Sequence, residues 1–113
     1  MYLLDTANKA RRDFEQKNID VELLTTLYSQ YNRVPNVESF IQKALDIFPK
    51  LSCGVATVYL RYAIGEGEII SGKYKTSGHT FLLINDRLLD ITADQYDGPK
   101  IYVGKPGIPW AIK

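Results

Sequence analysis

The chain is nearly bare of the residues that staple or metallate small folds: it has one cysteine, Cys53, and one histidine, His79. A single cysteine excludes an internal disulfide and any zinc site built on a cysteine cluster, so no metal or other cofactor is expected. It also means that any chemistry combining a thiol with an imidazole has one available pair. An excess of charge is missing too. Fourteen Lys and Arg stand against 13 Asp and Glu, for a formal charge of +1 with no long basic or acidic run, which argues against electrostatic capture of nucleic acid. Long apolar runs are absent, and the longest stretches fall well short of a bilayer span, so no membrane association is expected. Met1–Leu4 runs straight into Asp5, Lys9 and the Arg11–Arg12 pair, which is not a secretory-signal pattern. A cytoplasmic location is the resulting expectation. There are no internal repeats, linkers or low-complexity tracts.

What is present suits one folded unit. With 113 residues, the chain matches the common size of a domain and is read as one domain, 1–113. A chain of this length buries about 65% of its unfolded surface. Its 45% hydrophobic and 24% charged residues are ordinary for a globular protein.

The first half reads helical. Leu3, Ala7, Ala10 and Phe14 share one helical face, with Lys9, Arg11, Arg12 and Glu15 mostly off it. Asn18 and Asp20 break or cap, and Leu24, Leu27, Tyr28 and Tyr31 then repeat at i, i+3, i+4, i+7. After Val34-Pro35, Asn36 is a suitable N-cap for a stripe of Val37, Phe40, Ile41, Ala44, Leu45 and Phe48 that ends before Pro49. The fourth segment, Leu51 to Ile64, is apolar nearly all round, which predicts the buried helix, with Cys53 in its first turn. From Gly65 the texture becomes β-type. Glu68–Tyr74 is a weak strand, Thr80–Ile84 a strong one, and Leu88–Ile91 follows the Asn85-Asp86 turn. Ile101–Val103 is a further short strand, before a Pro- and Gly-rich tail around Trp110. The predicted fold is α+β: N-terminal helices, including a buried helix carrying Cys53, packed on a small antiparallel sheet.

A thiol attacks a carbonyl as the thiolate, and a helix N-terminus stabilises that anion through its partial positive charge and free amides. Cys53 is so placed if the helix starts near Ser52. The backbone N–H groups of Cys53 and Gly54 then offer part of an oxyanion hole, and Gly54 leaves room for substrate. His79 heads the strongest strand. A two- or four-residue loop centred on Asn85-Asp86 sets Asp90 opposite Phe81 and Thr92 opposite His79, so Asp90 and His79 share a face as diagonal neighbours. Asp90 is expected to hold imidazole Nδ1–H while Nε2 faces the thiol. Each residue also has an ordinary reading. Cys53 suits a small buried hydrophobe, His79 a satisfied structural side chain, and Asp90 an acceptor for a turn amide. Taken together, a helix-start Cys, a strand-start His and a same-face Asp point to nucleophilic catalysis.

A Cys opening a central helix, a His on a strand and an Asp on the next strand resemble the papain-like and transglutaminase-like enzymes. Ser52-Cys53-Gly54, Gly78-His79-Thr80-Phe81 and, most specifically, Asp90-Ile91-Thr92-Ala93-Asp94-Gln95-Tyr96 are similar to small bacterial papain-fold domains, some of them toxin tips of secreted proteins. The resemblance covers about the second half of the chain. It implies cysteine-dependent attack on the amide of a protein or peptide, by proteolysis, deamidation or transglutamination, through a Cys53–His79–Asp90 triad. For a toxin domain it also implies action in a target-cell cytosol and an inhibitory immunity protein as partner. Papain carries an oxyanion-hole glutamine shortly before its cysteine, where this chain has Ile47-Phe48-Pro49-Lys50-Leu51-Ser52. Gln30, Gln42 and Gln95 are the glutamines that would have to substitute, with Gln95 and Thr92 also suited to a turn supporting the strand end. Two rival functions come from other classes. One is a non-catalytic binding module that uses the eight tyrosines and Trp110. The other is a nuclease with His79 as acid/base, which lacks a second histidine and a basic patch.

Overall fold

A computed structural model describes residues 2–113. Four helices come first: α1 (Tyr2–Glu15), α2 (Val21–Tyr31), α3 (Val37–Asp46) and α4 (Cys53–Ile64). Strands β1 (Glu68–Tyr74), β2 (Ser77–Ile84) and β3 (Arg87–Asp90) follow. After a 3₁₀ turn at Ala93–Tyr96 come β4 (Tyr102–Gly104) and β5 (Trp110–Ala111). The fold is α+β, with the helices packed on a five-stranded antiparallel sheet of order β4-β3-β2-β1-β5.

Helix boundaries follow local chemistry. Asp20 caps α2 by accepting from the Leu23 N–H at 3.2 Å. Gly65, at φ 92°, ends α4 in the left-handed conformation that glycine adopts without a Cβ penalty. Asn36 departs from its expected role. It precedes α3 at φ 53° and makes no side-chain cap, so it serves the left-handed entry that Asn tolerates. The stripe residue Phe48 lies beyond the end of α3, in the connection to α4, where its ring stacks on Phe14 at 5.0 Å.

The helix face of the sheet packs Leu82, Ile84, Leu89 and Ile91 against Ala7, Phe14, Leu24, Ile41, Val55 and Leu60. α4 is the central helix, buried at Val55 to Val58, Leu60 and Ile64. It is less enclosed than its all-round apolarity implies, since Arg61, Tyr62 and Ala63 are exposed and Cys53 itself is half-buried.

The opposite face carries Ile70 and Tyr74 of β1, Phe81 of β2 and Leu88 of β3, with Trp110 of β5 packed among them. The sheet curls around this cluster. Tyr102 on one edge strand and Trp110 on the other, at opposite ends of the strand order, meet with ring centroids 4.3 Å apart. Strand β5 was not legible in the Pro- and Gly-rich tail. It pairs with only two residues of β1, Lys73 with Ala111 and Tyr74 with Trp110.

Candidate active site

The hairpin between β2 and β3 turns on Asn85 and Asp86, the two residues between the Ile84–Arg87 pair. Its register also pairs Leu83 with Leu88 and Leu82 with Leu89. Continued outward, that register sets Phe81 opposite Asp90 and His79 opposite Thr92, the parity that the loop length requires. β2 begins at Ser77, so His79 lies within the strand rather than at its head. Opposite it on β1 stands Gly72, where a Cβ would run into the Ala111 carbonyl of β5.

His79 and Asp90 are both buried, and His79 Nε2 lies 2.7 Å from Asp90 Oδ2. The nitrogen assignment expected from sequence is therefore reversed. Nε2 holds the carboxylate, and the hydrogen bonding between the imidazole and the Cys53 thiol falls to Nδ1. Nδ1 is buried without a hydrogen-bond partner of its own, so it is the ring nitrogen left to face the thiol. The imidazole is walled by Tyr96 edge-on at 5.5 Å, Tyr74 at 6.1 Å and Phe81 at 6.3 Å. These rings keep water away and fix its plane.

Asp90 is satisfied on both oxygens. Oδ2 also accepts from the Trp110 indole Nε1–H at 2.7 Å, while Oδ1 accepts from the Thr92 backbone N–H at 2.9 Å and faces the Thr92 hydroxyl at 3.4 Å. A buried carboxylate needs such partners to remain ionised. Thr92 thus supports Asp90 directly. Gln95 closes the following turn, with its backbone N–H and its side-chain amide each 3.2 Å from the Thr92 carbonyl. That amide is committed to the turn.

Cys53 opens α4, with Ser52 as the preceding residue and the first helical bond running from Ala56 N–H to the Ser52 carbonyl at 2.7 Å. The N–H groups of the first turn are left without intrahelical acceptors. Ser52 secures the turn by donating its hydroxyl to the Ala44 carbonyl at 2.7 Å. Burial alone would push the thiol pKa up. The hydrogen bond from His79, the Thr80 backbone N–H, the imidazolium charge and the Thr80 hydroxyl outweigh it and hold the pKa below the ordinary thiol value. For His79, burial acts downward. The hydrogen bonds to Asp90 and Cys53, together with their charges, overcome it and lift the imidazole to about 9. Both shifts favour a thiolate–imidazolium pair.

Three residues of the site escaped the sequence reading. Arg11, placed mostly off the apolar face, is buried: it grips both carboxylate oxygens of Asp94 at 2.8 Å and donates to the Ile91 carbonyl at 2.7 Å. Its guanidinium also lies 4.7 Å from the Phe48 ring centre. It therefore ties α1 to the segment just after Asp90. Trp110, read as a tail aromatic, donates to the Asp90 carboxylate. Tyr31, read as part of a core stripe, packs against Gly54 at the start of α4, and its phenol pKa is raised by burial and by the charges of Tyr28 and Cys53, against the opposing effect of Thr80. The spacing from Ala7 to Arg11 to Phe14 was the available signal for Arg11, since i, i+4, i+7 lies on one face.

Among the described residues, no group of three or more His, Cys, Asp or Glu side chains is placed to hold a metal ion, and no helix is long and apolar enough to cross a membrane. The chain matches no known protein family, no curated protein and no solved structure.

Proposed function

We propose that this protein is a cysteine-dependent acyltransferase or hydrolase acting on the amide of a protein or peptide, with a papain-like arrangement of nucleophile, base and orienting carboxylate. The observation that carries the reading is the buried His79–Asp90 pair beside a half-buried cysteine at a helix N-terminus. A structural cysteine has no need of a neighbouring imidazole raised to about 9.

In the reaction, Cys53 Sγ attacks the amide carbonyl carbon, and the C=O π electrons move onto oxygen beside the free N–H groups of the α4 first turn. His79, protonated in the resting pair, gives its proton from Nδ1 to the departing amine. The C–N bond then breaks and leaves a thioester on Cys53. Water or a second amine, deprotonated by the now neutral His79, attacks that thioester; the C–S bond breaks, and the thiolate and imidazolium of the resting pair are restored. Asp90 keeps the ring oriented and stabilises its charged form.

The test is to incubate candidate target proteins with wild type and Cys53→Ala and measure intact masses. Cleavage, deamidation and amine incorporation each leave a distinct mass change, and all three must vanish in Cys53→Ala. A Cys53 that resists iodoacetamide until the protein unfolds would instead favour the binding-module reading.

A further inference from the structure

The acyl-transfer reading raises the question of which side chain, beside the first-turn amides of α4, lies near an oxyanion formed on a substrate bound to Cys53. Two of the three glutamines are placed elsewhere: Gln95 is bonded to the Thr92 carbonyl, and Gln42 is exposed on α3. Gln30 lines the same outer groove as Tyr31. Tyr31, next to it, packs on the residue that follows the thiol.

Tyr31 is the last residue of α2, and its ring packs over the start of α4. A Cβ built on Gly54 would lie 3.9 Å from Tyr31 Cε2 and 3.4 Å from Tyr28 Cε1. These are ordinary contact distances, so the two rings lie directly against the nucleophile's neighbour. The Tyr28 ring sits against Tyr31 at 5.8 Å and fixes its lean. Thr80 acts on the phenol of Tyr31 and on the thiol of Cys53 alike, and the charge on Cys53 acts on the phenol, so the three side chains are neighbours. The phenol is also open to solvent, with Tyr31 37% exposed. Tyr31 also forms part of the wall of a groove of about 260 Å³, lined as well by Leu27, Gln30, Val58, Tyr62 and Ile69.

Resting on the acyl-transfer reading, we propose that Tyr31 is a further catalytic residue, whose phenolic O–H donates to the substrate oxyanion together with the first-turn N–H groups of α4. When the thiolate adds to the carbonyl, negative charge leaves sulfur and appears on the substrate oxygen beside it, and the phenol donates to that oxygen. No proton is transferred. The raised phenol pKa keeps Tyr31 a donor through neutral pH.

The experiment compares two reactions of the same thiol in wild type and Tyr31→Phe. Alkylation by iodoacetamide displaces iodide at a saturated carbon and forms no oxyanion. Acylation by p-nitrophenyl acetate forms one, and then releases p-nitrophenolate. Tyr31→Phe keeps the ring over Gly54, so alkylation should stay within about twofold, since it reports thiolate reactivity alone. Acylation should fall about 100-fold, the usual loss for one oxyanion donor. An equal fall in both rates would make Tyr31 a support of the thiolate and overturn the proposal, as would no change in either. If wild-type Cys53 is alkylated readily but never acylated, the acyl-transfer reading fails, and the role of Tyr31 fails with it.

Discussion

Trp110 and His79 share one oxygen: the indole Nε1 and the imidazole Nε2 each stand 2.7 Å from Asp90 Oδ2. The other carboxylate oxygen takes the Thr92 N–H. Every well-placed partner of Asp90 is a donor, so both of its oxygens must accept. From sequence, an amide looks tolerable there, since it can still accept from the imidazole. The full donor set changes that expectation.

Asp90→Asn sets an NH₂ against N–H donors whichever way the amide is turned. A loss of about 1–3 kcal/mol in urea unfolding is expected, the cost of a buried unmatched polar group. Activity should fall with it, and more than a merely reoriented histidine would require. A variant as stable and as active as wild type would show that the indole and the imidazole do not converge on Oδ2.

Alkylation rate against pH reads the thiolate. A lowered thiol pKa beside an imidazolium held to about 9 should make the rate rise at lower pH than it does for a free thiol. His79→Ala removes the largest of the effects that lower the thiol, so its midpoint should move up towards the free value of about 8.5. A wild-type curve that climbs only above that value would mean Cys53 is not activated.

Stability against pH carries a second signature. His79 has its pKa raised from 6.5 to about 9, so its contribution is complete below 6.5 and is lost as pH rises through 9. Cys53 is lowered from 9.0, so its contribution is complete above 9.0 and is lost as pH falls through its folded value. Across the neutral window the two slopes oppose each other, and wild-type stability should be nearly flat there. Cys53→Ala removes one slope and part of the lift on His79 while Asp90 still raises it, so its urea midpoint should decline as pH rises above 6.5, over a window that ends below 9. At pH 6.5 the variant should lie within about 1 kcal/mol of wild type, since the thiol is only half-buried. A flat profile in the variant would refute the coupling.

Arg11→Met keeps the apolar stem but frees Asp94 and the Ile91 carbonyl. Roughly 1.5–3 kcal/mol of stability should be lost, as for hydrogen bonds to a charged group. Hydrogen exchange in the Ala93–Tyr96 turn should rise, and kcat should fall although Arg11 touches no reacting atom. Unchanged exchange in that turn would show that Arg11 does not brace it.

The parts of the site legible in the sequence were those set by local arithmetic. The Asn85-Asp86 loop determines hairpin parity, and parity alone brings Asp90 to the face of His79. Likewise, helical periodicity puts Cys53 in a first turn. What was not legible depends on contacts between distant segments. Arg11 meets Asp94 across 83 residues, and Trp110 meets Asp90 only because a strand of two residues closes the sheet. The choice between Nδ1 and Nε2 is likewise set by how the aromatic walls turn the ring. Tyr31 fits its apolar stripe so well that periodicity reads it as core, and only its neighbours Thr80 and Cys53 give it another use.

Gly72 bears none of this chemistry, yet its missing side chain lets β5 lie against β1 and carry the indole of Trp110 to Asp90. Any larger residue there would lift β5 away. A saturation screen scored by activity alone would then rank Gly72 beside Cys53 and His79, because a backbone clearance on β1 governs the charge balance at a carboxylate two strands away.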